Sequence, residues 1–305
     1  MRLPAALATP AVAGAVAFTY GSLVERTAFR LRRFQVPVLP RGSERIRVLH
    51  ISDLHMAPWQ RRKQEWVRAL ARLRPDIVVD TGDNLGHEDG IAGIREALEP
   101  FTGIPGVFVW GSNDYYGPEP KNPFRYFRGA SEASANADML DLAGLRRELT
   151  GLGWTDINNT AATLTVRGSV LDFLGVDDPH REFDRLDLLS AARDELDAGR
   201  TGTADLVLGV AHAPYRRILD SFVARGAGLL LAGHTHGGQV CVPGYGALVT
   251  NCDIPRKQVK GLSEWRSGGS SAPLHVSAGL GTSIYAPVRF SCPPEATLLT
   301  LTARR

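Results

Sequence analysis

Cysteine is scarce in this chain of 305 residues. Cys241, Cys252 and Cys292 are too few and too scattered for a disulfide framework, and none stands in the CxxC spacing of a structural zinc site. A reducing compartment is the reading that follows. Lysine is nearly as rare: only Lys63, Lys121, Lys257 and Lys260 figure among 35 basic residues, and 32 acidic residues bring the net charge to +3. That balance offers no clustered basic stripe to grip a polyanion, which argues against nucleic acid as a partner, while an anionic small molecule or a membrane surface stays compatible. Charge is absent altogether from Leu3 to Val24, an Ala, Val and Leu-rich stretch followed by Arg26, Arg30, Arg32 and Arg33. Pro4, Pro10, Gly14 and Gly21 weaken it as a span, so residues 3–24 read as a membrane anchor, a cleaved signal or a surface-lying helix. A spanning helix would leave the remainder cytoplasmic, because more arginine follows the stretch than precedes it; without one, a cytoplasmic location is expected. No arginine pair precedes it, so twin-arginine export is not indicated.

What is present is an alternation of short apolar runs with amphipathic stretches. Ile46 to Ile51, Ile77 to Val79, Val107 to Trp110, Leu171 to Val176, Leu206 to Ala211 and Leu229 to Ala232 read as buried strands. Between and after them, Gln60 to Leu73, Met139 to Leu149, Leu186 to Leu196 and Arg216 to Ala224 carry helical spacing, as in Trp66, Val67, Leu70 and Leu73. This is an α/β chain whose helices cover sheets. Gly117 to Asn136 and Gly261 to Pro273 read as loops. The expected organisation is an N-terminal leader and linker over residues 1–40 and one catalytic domain over residues 41–305.

Chemistry collects where the strands end. Ser52-Asp53-Leu54-His55 puts two ligand types at alternate positions, and Asp80-Thr81-Gly82-Asp83-Asn84 supplies a carboxylate able to bridge two cations. Ala211-His212-Ala213-Pro214 and Gly233-His234-Thr235-His236-Gly237-Gly238-Gln239 follow later strands. Singly, each aspartate could be a cap or turn residue and His212 a buried structural histidine. Together they describe a metal centre, since carboxylates and imidazoles from several strand ends converge on one sheet edge and suit Mn, Fe or Zn.

In this order, D-x-H, G-D-N, A-H-x-P and G-H-T-H-G-G-Q resemble the calcineurin-like metallophosphoesterase superfamily. Tyr20-Gly21-Ser22-Leu23-Val24-Glu25, Gly175-Val176-Asp177-Asp178-Pro179 and the tail from Val276 to Glu295 are similar to its YkuE-type bacterial subgroup. The resemblance implies a four-layer α/β/β/α sandwich of two mixed sheets and two divalent metal ions. One ion would take Asp53, His55, Asp83 and His236, and the other Asp83, His212, His234 and a ligand from the next motif. It also implies hydrolysis of a phosphoester by metal-activated hydroxide, or, in a degenerate member, binding of a phosphorylated ligand without turnover.

That next motif departs from the family. Gly111-Ser112-Asn113-Asp114 stands where the family has Gly-Asn-His-Asp, so the family's catalytic imidazole is missing. Asn113 is the expected metal ligand in place of Ser112, Asp114 the expected orienting carboxylate, and His87 a stand-in for the absent histidine. His50, His180 and His275 read as structural or incidental. Tyr115, Tyr116, Lys121, Arg125, Tyr126, Phe127 and Arg128 line the long loop after the motif and suit a phosphodiester or pyrophosphate of a lipid, lipid-linked or nucleotide type.

Overall fold

The computed structural model describes residues 5–118 and 138–304. Most of the long loop therefore lies outside the described residues, Lys121, Arg125, Tyr126, Phe127 and Arg128 included.

Two six-stranded mixed sheets form the centre. The first contains β1 (Arg30–Leu39), β2 (Ile46–Ile51), β3 (Ile77–Asp80), β4 (Gly106–Phe108), β5 (Trp154–Asp156) and β14 (Glu295–Ala303), in the order β1-β14-β2-β3-β4-β5. The second contains β6 (Thr160–Val166), β7 (Ser169–Gly175), β8 (Leu206–Ala211), β9 (Leu229–Ala232), β12 (Gly261–Ser267) and β13 (Ser270–Val276), in the order β12-β13-β9-β8-β7-β6. A small ribbon of β10 (Cys241–Val242) and β11 (Gly246–Ala247) lies apart.

Side-chain alternation along the strands sorts residues into layers. Val48, Val79 and Val107 of the first sheet meet Phe173, Leu208, Val210 and Leu231 of the second in one shared core. On the outer face of the first sheet, Leu49, Ile51, Val78 and Phe108 pack under α2 (Arg61–Ala69), α3 (Gly90–Leu98) and α5 (Leu142–Gly151) through Val67, Ile94, Leu98, Leu145 and Leu149. Leu174, Leu230, Leu274 and Val276 of the second sheet pack under α6 (Leu186–Ala198) and α7 (Arg216–Ala224) through Leu189, Ile218, Leu219 and Phe222. The result is the four-layer α/β/β/α sandwich.

Two segments differ from the sequence reading. Arg30–Leu39, assigned to the linker, is an edge strand that pairs in parallel with β14, with Arg30 opposite Glu295 and Val36 opposite Leu301. Its arginines are exposed, Leu31 and Phe34 are only partly buried against the core, and full burial is confined to Val36, Val38 and Leu39 at one end. Gly261 to Pro273 is not a loop but most of the β12/β13 hairpin, in which Trp265 and Ala272 are buried partners and Gly268-Gly269 makes the turn. The apolar leader forms helix α1 (Ala5–Leu23), yet no helix among the described residues is long and apolar enough to cross a membrane.

His50 and His275 tie the two sheets together. Their Nδ1 atoms lie 2.8 Å apart, His50 Nε2 is 3.0 Å from Thr81 Oγ1, and both rings are fully buried. Burial holds His50 well below its ordinary value and brings His275 down to about 3. With folded values below the unfolded one, the two neutral rings leave stability at its maximum above about pH 6.5 and lower it as the pH falls further, His275 until about pH 3. Replacing both by leucine should flatten the acid limb of the stability curve, measured by urea unfolding at pH 7, 6 and 5. An unchanged slope in the variant would show that the pair does not set it.

Candidate metal centre

The parallel strands β2, β3, β4, β8 and β9 all end at one edge, and each delivers its polar residues in the first turn beyond the sheet. Pairing continues past the strands: Asp53 N–H donates to Gly82 O (2.8 Å) and His55 N–H to Asp83 O (2.9 Å), which locks the two ligand turns together. Gly233 N–H donates to His212 O (2.8 Å) and does the same for the second sheet. Asp53, His55, Asp83, His234 and His236 all have positive φ, between 40° and 68°. Such backbone costs about 1–3 kcal/mol per non-glycine residue, so five instances at one edge mark a place where stability has been exchanged for side-chain direction.

The side chains form two overlapping groups. Asp53, His55, Asp83 and His236 each place one ligand atom within 4.8 Å of the others. Within that group His55 Nε2 is 3.1 Å from His236 Nε2 and 3.5 Å from Asp83 Oδ2, and His236 Nε2 is 3.6 Å from Asp53 Oδ1. The second group begins at the other oxygen of the same carboxylate: Asp83 Oδ1 is 3.5 Å from His212 Nε2, which is 3.2 Å from His234 Nδ1. Asp83 therefore faces both groups at once. Gly111 must be glycine here, because a Cβ would collide with Asp83 Oδ1 and come within 2.7 Å of His212 Cε1.

Whether cations fit can be judged from the donor set itself. His212 Nδ1 is engaged with Thr81 O (2.7 Å) and His236 Nδ1 with Gly281 O (3.1 Å), which leaves each Nε2 lone pair directed into its group. Burial brings His55 down to about 4 and, with neighbouring cationic groups, holds His234 and His236 well below the usual imidazole range. Those three rings are neutral at physiological pH and able to ligate. Burial also lowers His212, but Asp83, Asp53 and Asp178 outweigh it and raise the ring to about 9. The carboxylates thus recruit positive charge, which a divalent ion supplies better than one imidazolium. Opposed imidazole nitrogens and a shared buried carboxylate fit a binuclear centre.

Residues 46–238, which carry all of these ligands, match the calcineurin-like phosphoesterase family. The chain belongs to this family. It is 29% identical to a metallophosphoesterase of Aquifex aeolicus over 92% of this chain and 94% of that one. It is 23% identical to the metallophosphoesterase YkuE of Bacillus subtilis over 87% of this chain and 82% of that one. Among solved structures, a dimetal phosphatase of Danio rerio is similar over 80% of this chain and 88% of its own, with a TM-score of 0.43 and 12% identity. As a calcineurin-like phosphoesterase the protein is a hydrolase of phosphoric esters that works with two divalent metals.

The departing motif of this phosphoesterase lies on the short helix α4 (Ser112–Tyr115). Asn113 approaches the centre, its Nδ2 and backbone N–H each 2.8 Å from an oxygen of Asp83. Ser112 donates from Oγ to Asp178, whose carboxylate is itself close enough to act on His212. Asp114 is fully buried and accepts from the backbone N–H groups of Asp83 (2.9 Å), Asn84 (2.7 Å) and Gly111 (2.9 Å), so its carboxylate shapes the turn that carries Asp83. His87 sits on the β3–α3 connection, its Nδ1 accepting from Asp89 N–H (3.1 Å) and its ring 4.9 Å from that of Trp59.

Two residues beside the ligand groups carry no sequence signal of that placement. Arg289, fully buried, donates from Nη2 to Gly281 O (2.6 Å), Ala278 O (2.7 Å) and Gly279 O (3.2 Å) and from Nη1 to His236 O (3.3 Å). Its own segment is held by the leader: Gly21 O accepts from Arg289 N–H, and Glu25 accepts from the N–H groups of Ser291 (3.0 Å) and Cys292 (2.6 Å). The other is His180, whose ring lies 4.6 Å from that of His234. A lone loop histidine and a lone arginine in a tail have no spacing pattern by which to be found.

Proposed function

We propose that the protein is a binuclear phosphodiesterase or pyrophosphohydrolase acting on a phospholipid, lipid-linked or nucleotide-type substrate. The observation that carries this reading is Asp83, whose two oxygens each face a separate imidazole group at 3.5 Å, as a bridging carboxylate must. Asp53, His55, Asp83 and His236 would hold one cation, and Asp83, His212, His234 and the amide of Asn113 the other. Two such ions, when bound, supply Lewis-acid activation of water and neutralise charge on the phosphoryl oxygens. The chain's own residues then act by position. Asp114 fixes the turn of Asp83, and the backbone bonds from Thr81 and Gly281 hold His212 and His236 in the ligating tautomer. With no histidine at position 113, substrates with good leaving groups, such as phosphoanhydrides and activated diesters, suit the site best.

A lipid-type substrate is supported by helix α1, where Val12, Val16, Phe18 and Leu23 are exposed in a segment followed by Arg26 and Arg30. Association of residues 3–24 with a membrane surface would bring such a substrate to the enzyme. Purified protein loaded with manganese should cleave an activated aryl phosphodiester, with two metal ions per chain by elemental analysis. Asn113 favours one competing reading, a phosphoryl-binding module without turnover. Two ions per chain with no hydrolysis of any phosphoester or phosphoanhydride across Mn, Fe and Zn would establish that second reading.

A further inference from the structure

The end of the leader is sewn to residues 288–294. Arg289 N–H donates to Gly21 O (3.2 Å), and the two backbones run so close that a Cβ at position 21 would come within 2.6 Å of Arg289 O. Glu25 is buried, and its two carboxylate oxygens accept from the N–H groups of Ser291 (3.0 Å) and Cys292 (2.6 Å). Ser291 has a φ of 53°, and successive N–H groups around such a left-handed residue make a concavity that binds an anion. Arg30 N–H then donates to Pro294 O (2.8 Å), where β1 begins to pair with β14.

The same residues reach the first ligand group on their other side. Phe290 N–H donates to Gln239 O (3.1 Å) and Cys241 N–H to Phe290 O (2.8 Å), which joins them to the stretch that follows His236. Cys292 Sγ and Arg289 Nη1 both donate to His236 O (3.3 Å each), and Arg289 Nη2 donates to Gly281 O (2.6 Å), the carbonyl that holds His236 Nδ1. Resting on the reading of His236 as a ligand of the first cation, we propose that Glu25 is a positioning residue of the metal centre: by holding residues 289–292 it fixes Arg289 and Cys292 against His236.

Without the carboxylate, two N–H groups lose their acceptor and nothing holds Ser291 in its left-handed conformation. Residues 289–292 then relax and carry both His236 contacts with them. The second ligand group is spared, because His212 is held by Thr81 O (2.7 Å) and His234 Nε2 faces Asn251 O (3.1 Å), both outside this segment. The end of the leader is thus part of the scaffold of the metal centre, and cleavage of the leader beyond Glu25 would cost affinity for the first cation as well as any membrane contact made by α1.

The test titrates manganese by calorimetry into the metal-free full chain, unaltered and as Glu25→Ala, Glu25→Gln, Arg289→Met and the Glu25→Ala, Arg289→Met double variant, each shown by circular dichroism to be folded at the titration temperature. In Glu25→Ala one of the two ions should bind about tenfold more weakly, with the other within about twofold of the unaltered chain. Glu25→Gln keeps one acceptor oxygen and should lose less. Because both residues act on His236 through one segment, adding Glu25→Ala to Arg289→Met should cost about threefold or less rather than a further tenfold. A lowered urea midpoint with both ions bound as before would overturn the proposal, since Glu25 would then be a tie of the fold alone. So would equal weakening of both ions, or losses that multiply in the double variant. If Glu25→Ala does not fold, Glu25→Gln carries the same comparison, alone and with Arg289→Met. Binding and not turnover is read, so absence of hydrolysis would bear on the function proposed above and not on Glu25, whereas fewer than two ions on the unaltered chain would overturn both.

Discussion

Replacing Asp83 by asparagine is expected to empty both halves of the metal centre and to lower kcat/KM by at least about a thousandfold. The carboxylate faces both imidazole sets, 3.5 Å from His55 Nε2 through one oxygen and 3.5 Å from His212 Nε2 through the other. An amide in its place removes the anion and puts a hydrogen-bearing nitrogen on one side, so neither ion keeps its shared ligand. The lost charge stabilisation amounts to several kcal/mol, and about 4 kcal/mol corresponds to about a thousandfold in rate. Geometry around the turn should survive, because Asp114 holds the Asp83 backbone and not its side chain. Elemental analysis and turnover of the same preparation read the outcome. A variant that keeps two ions, or activity within about tenfold of the unaltered chain, would sink the shared-carboxylate arrangement.

Arg289→Met is expected to destabilise the fold by about 3–5 kcal/mol and to weaken metal binding by about 10- to 100-fold. The guanidinium is fully buried, and its donors satisfy carbonyls from His236 and from the 278–281 turn. That turn packs on the first ligand loop: Gly281 N–H donates to Asp53 O (2.6 Å) and Leu280 N–H to Ser52 O (3.1 Å). Methionine fills the space but leaves several carbonyls desolvated without donors, at about 1–3 kcal/mol for each one that finds no water. Lysine keeps the charge yet lacks the planar fork needed to span the turn and His236, so Arg289→Lys should rescue only partially. Urea unfolding of the metal-free protein isolates the stability term, and metal titration the other. Full stability in the methionine variant would show that the guanidinium is not what braces the turn.

The candidate metal ligands were legible because their signal is local. Asp53 and His55, or His234 and His236, are two residues apart just after a run of buried aliphatics, and it is their joint occurrence at several strand ends, not any one pair, that points to a metal centre. The core strands β2, β3, β8 and β9 were legible for the same reason, being short apolar runs buried on both faces. Edges were not. β1 has arginine at Arg30, Arg32 and Arg33 and reads as linker because half of it faces outward, and the β12/β13 hairpin hid behind its serines and glycines although Trp265 and Ala272 are buried.

By itself the sequence determined the class of chemistry: carboxylates and imidazoles at strand ends, in an order that belongs to calcineurin-like phosphoesterases, with a serine and an asparagine where an asparagine and a histidine are usual. Only the tertiary structure decided that Asn113 turns toward Asp83 while Ser112 turns toward Asp178, that His180 borders His234, and that Arg289 reaches the carbonyl of His236 from a segment pinned by the leader through Gly21 and Glu25. Ligand type and short spacing are properties of a few neighbouring residues. Which distant segments close over them depends on sheet pairing such as β1 with β14, where Arg30 meets Glu295, and such pairing leaves no periodic mark on either segment alone.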